Sequence, residues 1–443
     1  MLVQLFIGIL ILLVIAYYSN GENLLSPAVI ICAMFAFATV IAIIGNLTWH
    51  YKIHFITCVV IWSGLLVFII FSSFSTFLFS QSYIDEYYEN ISIPTKGFTI
   101  VLFLMSVVLT ALNIRHFMSI AGSSGWGGVL QFGIDLKRVR DLQTLGRVTS
   151  SGISGLTNYY ARAVSYIGIF MYLYSIVVCK KSPKDFLYLL LPSLPYFIDV
   201  LLSTGRSSLT SLVVYVINIY GILLLTSRDI NPDAKRKFIK WLIVIATIFF
   251  LVFFTYGMIR QGSIGKGSFF NLLSRSFSLY IGFSIPSFDY FLTHTWPKAT
   301  VFGASTLMEW YSFLSSLGFD VPQGTSWALA PITINGVTGN LFTGLRRYLQ
   351  DYSYLGMYLL MALQGFLSSF SFNYLIKKKN HPIMLIMYSI WIYPIFEMME
   401  EERFVTSLGM TPVLTLISIC IMYYFMAGIN IKLFDFNTIR TIE

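Results

Sequence analysis

The stretch FITCVVIWSGLLVFIIFSSFSTFLF, residues Phe55–Phe79, runs for 25 residues without a charged side chain. A helix of about 20 apolar residues crosses the hydrocarbon core of a bilayer and satisfies its own backbone hydrogen bonds there. Similar stretches recur along most of the chain. The chain is 56% hydrophobic and only 11% charged, whereas a typical soluble domain has about 25% charged residues. The sequence therefore predicts an all-α polytopic membrane protein.

About eleven or twelve spans fit this pattern, and they are predicted to form one helical bundle. The stretches that read as spans are Leu2–Tyr18, Pro27–Gly45, Phe55–Phe79, Phe98–Ile114, Ala163–Cys179, Phe186–Ser203, Leu209–Thr226, Trp241–Met258, Tyr354–Ile376, Pro382–Met398 and Leu408–Ala427. Residues 1–258 and 352–443 are thus predicted to be membrane regions that flank a long loop at 259–351. The first stretch lacks the basic start and cleavage site of a signal peptide, so it is interpreted as a retained span.

Basic residues predict the orientation, because lysine and arginine concentrate in cytoplasmic loops. Three clusters, around Lys180–Lys184, Arg228–Lys240 and Lys377–Lys379, alternate consistently along the chain. They place the segment Ile259–Asp351 outside the cytoplasm. Much of the net charge of +9 lies in such short loops, which argues against a nucleic-acid partner.

The N-terminal half gives a less consistent orientation. The span count places Arg115–Arg162 outside, although this segment is rich in arginine. Either its cations have a role outside or a span has been missed, and both interpretations stay open. The short stretch Asn20–Ser26 is assigned to an outer loop.

The outer segment is, at about ninety residues, too long for a plain connection, so a functional role is expected. Apolar positions at helical spacing predict amphipathic helices at Ser274–Phe291 and Thr306–Phe319. Basic residues outnumber acidic ones in this segment. The basic residues are Arg260, Lys266, Arg275, Lys298, Arg346 and Arg347, and the acidic residues are Asp289, Glu309, Asp320 and Asp351. Net positive charge outside the cytoplasm opposes the usual concentration of lysine and arginine in cytoplasmic loops. Either these cations reach lipid headgroups and nearby acids, or they bind an anion, since arginine presents a planar fork suited to phosphate.

Three details favour the interpretation that these cations bind an anion. Arg260 stands where the eighth predicted span ends, with Tyr256 one helical turn before it. The glycine-rich turn Gln261–Gly267, which contains Lys266, offers backbone N–H groups to an anion but is not a nucleotide-binding loop. Arg206 opens the seventh span, where a buried arginine is a functional candidate by default.

The motif Asn340-Leu-Phe-Thr-Gly-Leu-Arg346-Arg347-Tyr348-Leu-Gln-Asp351-Tyr-Ser353-Tyr-Leu-Gly356 resembles the segment before a late span in Wzy-type O-antigen and capsule polymerases. Ser353 stands where that family usually has glycine. The sequences around Arg206 and Arg260 are similar to the family as well. The resemblance covers roughly the C-terminal half of the chain in order and spacing.

This resemblance implies a glycosyltransferase of the C superfamily in the bacterial cytoplasmic membrane, with its active site facing the periplasm. Such an enzyme joins undecaprenyl-pyrophosphate-linked repeat units into a polysaccharide without cofactor or metal, alongside a Wzz-type chain-length regulator. Arg260 and Arg346 are then the catalytic arginines, with Asp351 or Glu309 as the base. The predicted pyrophosphate-binding residues are Arg206, Arg347, Lys266, Arg275, Tyr256 and Asn340.

Other interpretations remain open. A flippase of lipid-linked glycans also needs many spans and cations, although paired halves and midplane charges are typical of that class. An O-antigen ligase is the second alternative, but His294 stands in the outer segment without a recognisable motif. Asp351 lies four residues after Arg347, so an intrahelical ion pair is its structural alternative. The cluster Glu400-Glu401-Glu402-Arg403 is interpreted as solvated charge in a short outer loop.

Overall fold

The computed structural model describes residues 1–79, 91–122, 152–202, 207–226, 277–294, 301–321, 331–378 and 382–429, with isolated helical residues within 134–142 and 240–255. The chain falls into two compact units, each drawn from separated stretches. Met1–Asp85, Phe269–Lys378 and Trp391–Val413 form unit 1, and Glu86–Ser268, Lys379–Ile390 and Leu414–Glu443 form unit 2. The long segment after residue 268 therefore belongs largely to the same unit as the first three helices.

Helices dominate both units. In chain order they are α1 (Leu2–Ser19), α2 (Pro27–Trp49), α3 (Phe55–Leu78), α4 (Lys96–Ala121), α5 (Gly152–Val177), α6 (Ser193–Leu202), α7 (Ser207–Thr226), α8 (Ser284–Thr293), α9 (Met308–Ser316), α10 (Leu345–Lys378), α11 (Pro382–Trp391), α12 (Tyr393–Glu397) and α13 (Met410–Tyr424). Short 3₁₀ turns lie at Pro183–Leu190 and Thr406–Leu408, and π turns at Ser278–Gly282 and Phe425–Ile429. Within the described residues, one antiparallel hairpin, β1 (Ile332–Ile334) with β2 (Val337–Gly339), departs from the predicted all-α fold.

Eight helices in the described part of the chain are long and apolar enough to cross a membrane. A ninth span results if the bent pair Pro183–Leu190 and Ser193–Leu202 is counted as one. The prediction of a multi-pass helical membrane protein is thereby confirmed. The predicted span Trp241–Met258 lies mostly outside the described residues, and Pro382–Met398 corresponds to the shorter helices α11 and α12.

Helices α3 and α10 run parallel and form the main packing contact of unit 1. Ser63 Oγ lies 2.9 Å from Tyr358 Oη, and Ser72 Oγ lies 2.6 Å from Ser369 Oγ further along. At Gly365 a Cβ atom would stand 2.5 Å from the carbonyl oxygen of Phe68. Small residues let membrane helices approach this closely, and hydroxyl pairs then link them.

The loop between α1 and α2 lies at the end of unit 1 where α10 finishes. The Asn20 Oδ1 atom accepts a hydrogen bond of 2.6 Å from Ser72, and Asn373 donates to Thr76 at 3.1 Å. Lys377 Nζ donates to a carbonyl at the end of α3. Asn20–Ser26 therefore shares an end with the basic cluster that predicts the cytoplasmic side. The prediction that Asn20–Ser26 lies outside and the prediction that Lys377–Lys379 lies in the cytoplasm are therefore incompatible, because α1 packs parallel to α3.

Helix α10 is broken at Ser353, whose backbone adopts φ 61° and ψ −173°. A side chain is strained in this conformation, which costs of order 1–3 kcal/mol, and glycine adopts it readily. The break lets Leu345 reach Gly64 in the middle of α3, where a Cβ atom would stand 3.4 Å from the leucine side chain.

We expect Ser353→Gly to raise the free energy of unfolding by about 1 kcal/mol, because it removes this strain and Ser353 is exposed. Thermal unfolding of the detergent-solubilised chain measures the change. Ser312→Gly is the matched control: it lies at an exposed position inside helix α9, where glycine should destabilise. Equal destabilisation by both variants would contradict the assigned strain.

Helices are present in shorter form where the sequence predicts amphipathic helices within 259–351, as α8 with its preceding π turn and as α9, although Ser284–Asp289 of α8 are all buried. Helix α8 carries Asp289, which is fully buried. Its carboxylate accepts hydrogen bonds from Tyr51 Oη at 2.8 Å and Thr57 Oγ1 at 2.6 Å, and His54 Nδ1 lies 2.9 Å away. These contacts fasten α8 to the turn between α2 and α3. The hairpin packs nearby, since Asn335 donates to the carbonyl oxygen of Trp49 at 2.7 Å.

Unit 2 holds its polar side chains between helices α4 to α7. Asp199 accepts hydrogen bonds from Thr110 at 2.7 Å and Asn113 at 2.9 Å. Arg162 donates to Ser211 at 3.1 Å and faces the Tyr166 ring at 5.2 Å. Arg162, one of the cations of the Arg115–Arg162 segment, therefore lies within the helical packing. Helix α5 begins before Arg162, and α4 extends to Ala121, so both ends of this segment are helical.

Candidate anion-binding site

The motif that carries the resemblance forms one wall of a pocket in unit 1. The pocket is small and partly open to solvent. It is lined by Asn340, Phe342, Thr343, Arg346, Arg347, Glu401 and Glu402. Residues 340–347 lead into α10, and the two glutamates follow α12, so two stretches distant in sequence meet here.

Gly344 makes this meeting possible. Its backbone N–H donates to the carbonyl oxygen of Met398 at 2.8 Å. A Cβ atom at this position would stand 2.5 Å from Met398 Sδ and 3.1 Å from the Glu402 backbone. Only glycine fits such a contact without displacing a neighbour, so the arginine-bearing segment lies directly on the acidic one.

Arg346 is the most buried arginine of the site, with 2% of its surface exposed. Its guanidinium carbon lies 4.0 Å from the centre of the Phe342 ring and 5.9 Å from that of Phe291. Its Nε and Nη2 atoms are each 3.4 Å from Gln350 Oε1. Stacking on aromatic faces fixes the plane of the guanidinium while its charge is kept.

Arg347 joins three segments of the chain. It donates to the carbonyl oxygen of Ser305 at 3.1 Å and forms an ion pair with Glu401. The other carboxylate oxygen of Glu401 lies 2.7 Å from Arg403 Nη2. Burial by itself would raise the pKa of Glu401, but Arg403, Arg347 and Arg346 together hold it below its ordinary value. Glu401 is therefore the ionised partner of the arginines.

Glu402 has a different environment, although it is the next residue. It is fully buried and accepts hydrogen bonds from Tyr348 Oη at 3.1 Å and from the backbone N–H groups of Val405 and Thr406. Burial raises the pKa of Glu402, and these donors and Arg347 only partly offset the rise. Its contacts fix the turn after α12, so its role is structural.

Thr343 contributes a hydroxyl to the pocket wall. Only 1% of its surface is exposed, and its Oγ1 atom has no hydrogen-bond partner among the described residues. A buried hydroxyl without a partner is costly unless a ligand satisfies it. Asn340 adds an exposed amide at the rim. Two guanidiniums, a hydroxyl and an amide form a donor set suited to phosphate oxygens.

The structure places Asp351 outside the donor set. Its carboxylate accepts hydrogen bonds from the backbone N–H and hydroxyl groups of both Ser305 and Thr306, at 2.8–3.3 Å. The intrahelical ion pair with Arg347 does not form, because Arg347 turns to Glu401. Asp351 thus anchors the 305–306 turn against α10, and that turn supplies the Ser305 carbonyl to Arg347.

We expect Asp351→Asn to lower the free energy of unfolding by about 1–3 kcal/mol, because an amide cannot accept all of these hydrogen bonds. Any catalytic activity of the chain should then fall only in step with the amount of folded protein. Asp320→Asn, at an exposed position of the same segment, is the control. A fully folded Asp351→Asn variant without activity would instead make Asp351 the predicted base.

Glu309, the other predicted base, does not line the pocket. Its Oε2 atom accepts a hydrogen bond of 3.4 Å from the backbone N–H of Thr411. Burial raises its pKa, while the Thr411 N–H and Arg403 lower it. The neighbouring Trp310 donates to the carbonyl oxygen of Leu408 at 3.0 Å, so helix α9 packs against the turn before α13.

The remaining predicted site residues lie outside the described part of the chain: Arg206, Tyr256, Arg260, Lys266 and Arg275. The expected convergence of Arg206 and Arg260 with Arg346 therefore stays a prediction. The sequence did place Asn340, Arg346 and Arg347 in one site, and the structure brings them to one pocket.

The acidic side of the pocket was missed. The interpretation of Glu400–Arg403 as solvated charge was wrong for Glu401 and Glu402, which are held by Arg347, Arg403 and Tyr348. The sequence contains one indication that these acids are not in an exposed loop. Three acids and an arginine follow an apolar helix directly, without the glycine or serine that is typical of an exposed loop.

Comparisons with family models, with curated proteins and with solved structures find no significant match for this chain.

Proposed function

We propose that this chain polymerises undecaprenyl-pyrophosphate-linked oligosaccharide repeat units into an O-antigen or related surface polysaccharide. The observation that carries the proposal is the pocket in which the buried Arg346 lies beside Arg347 and the Thr343 hydroxyl, which has no hydrogen-bond partner among the described residues. This donor set suits phosphate, and it stands in a multi-pass membrane protein. The resemblance of residues 340–356 to Wzy-type polymerases supports the same conclusion.

The proposed reaction is a glycosyl transfer at the outer face of the bacterial cytoplasmic membrane. Nucleotide sugars are absent there, so the pyrophosphate leaving group of the donor supplies the driving force. Arg346 and Arg347 stabilise the negative charge that develops on the pyrophosphate as its bond to the anomeric carbon breaks. The acceptor is the free sugar end of a second lipid-linked repeat unit, and a Wzz-type regulator is the expected partner for chain length.

Purified full-length protein in liposomes tests the proposal directly. With lipid-linked repeat units supplied, we expect a ladder of polymers that inorganic pyrophosphate inhibits. In cells, deletion of the gene should leave one repeat unit on each lipid carrier. Translocation of a labelled lipid-linked repeat unit without any ladder would support the flippase alternative and overturn the polymerase.

A further inference from the structure

Glu401 is the carboxylate that pairs with Arg347 in the pocket. One oxygen of its carboxylate pairs with Arg347 and the other with Arg403, at 2.7 Å for the latter. Its side chain is 18% exposed and lines the pocket. A phosphate that binds Arg347 must therefore compete with Glu401.

The other carboxylates around the pocket are held by hydroxyl and backbone N–H groups and not by a guanidinium. Asp351 is held by the hydroxyl and N–H groups of Ser305 and Thr306. Glu402 is held by the Tyr348 hydroxyl and by backbone N–H groups. Among the carboxylates that line the pocket, Glu401 alone is held by guanidiniums, which are the groups that bind phosphate.

The charges around Glu401 therefore change when an anion binds. Arg346 and Arg347 face it from α10, and Arg403 and the half-buried Glu397 face it from its own stretch of chain. These arginines hold its pKa low and make it a poor proton acceptor. A phosphate that engages Arg346 and Arg347 neutralises two of these cations and leaves a carboxylate beside the bound donor.

We propose that Glu401 is the proton acceptor of the transfer, masked by Arg347 until the donor pyrophosphate binds that arginine. The inference rests on the proposed function. The acceptor hydroxyl oxygen forms the new bond to the anomeric carbon, and the bond from that carbon to the pyrophosphate oxygen breaks. The electron pair leaves with the lipid pyrophosphate, and the hydroxyl proton goes to Glu401. When the lipid pyrophosphate departs, Arg347 returns to Glu401 and the proton is released to water.

Glu401→Gln separates this role from a purely structural one, because it keeps the shape of the side chain and removes its charge and basicity. We expect polymer formation to fall by at least about 100-fold, the usual effect of losing a general base. Binding of inorganic pyrophosphate to the purified variant, measured by titration calorimetry, should stay equal or become tighter, since the competing carboxylate is gone. The acidic limb of the wild-type pH–rate profile should also disappear. Glu400→Gln is the control, because the adjacent Glu400 does not line the pocket.

The outcomes distinguish the two proposals. A wild-type protein that forms no polymer refutes the proposed function and the inference together. An active wild type with an equally active Glu401→Gln variant refutes the inference alone. Weaker pyrophosphate binding by Glu401→Gln, in parallel with lost polymer, would make Glu401 a positioning residue for Arg347 and overturn its role as base. Glu401→Asp, which keeps the carboxylate, should recover part of the activity that Glu401→Gln loses.

Discussion

Replacing Arg346 by lysine should lower the rate of polymer formation by about 10- to 100-fold while the protein stays folded and inserted. Lysine keeps the positive charge but loses the planar fork that stacks on Phe342 and orients phosphate oxygens. A charge-assisted hydrogen bond is worth roughly 1.5–3 kcal/mol, which corresponds to one to two orders of magnitude if it tightens in the transition state. Single-turnover rates with lipid-linked repeat units measure the loss. The same result is expected for Arg260→Lys, at a position outside the described residues.

Arg115→Lys provides the matched control, because it makes the same exchange at an exposed position of α4. It should leave the polymer ladder unchanged. Wild-type ladders from Arg346→Lys at equal protein levels would show that Arg346 only supplies charge or packing. A variant that fails to insert would show as reduced protein in the membrane fraction, so rates are normalised to that amount.

The membrane-spanning architecture could be predicted because each span carries its own signal. Residues 55–79 exclude charge and present enough length to cross the bilayer, and helix α3 spans Phe55–Leu78. This information is local, since a helix in lipid must satisfy its backbone by itself. The predicted span ends differ from the observed helices mostly by a few residues, as where α4 continues past Ile114 to Ala121.

The arginine side of the site could also be predicted, because Arg346 and Arg347 stand in a recognisable motif with unusual charge. The acidic side could not. Glu401 lies 54 residues from Arg347, and nothing in its own neighbourhood states that it is buried or which cation it meets. The role of Asp351 was misjudged for the same reason, because its partners are 45 and 46 residues away. Such pairings depend on how segments pack, which a local pattern does not encode.

Ser353 shows how a departure from a motif becomes interpretable only with backbone geometry. In the sequence it is a serine where the resembling family has glycine. In the structure it has a positive φ and divides α10, so that residues 345–352 form a separate short helix before the span. This break allows Leu345 to pack against Gly64. It also positions the adjacent arginines in the pocket.

The pocket as a whole depends on a close contact between two backbones, and Gly344→Ala should disrupt it. The added methyl group would meet Met398 Sδ at 2.5 Å and the Glu402 backbone at 3.1 Å. The sulfur can move, but the backbone of the acidic segment must shift as well. We expect a loss of about 1–3 kcal/mol in the free energy of unfolding from this overpacking. Polymer formation should fall by at least about 10-fold in the protein that remains folded, because a misplacement of about 1 Å can cost 100-fold in rate.

Gly97→Ala separates this effect from a general response to alanine. Gly97 lies in α4, where an added Cβ atom would meet nothing within 4 Å. Alanine favours a helix by about 0.5–1 kcal/mol over glycine, so this control should be neutral or slightly stabilised. Thermal unfolding and polymer yield per folded protein are compared for the two variants. If Gly344→Ala retains full activity, the reaction does not depend on the observed distance of Glu401 and Glu402 from the arginines. The acidic side of the pocket would then lose its proposed part in the reaction.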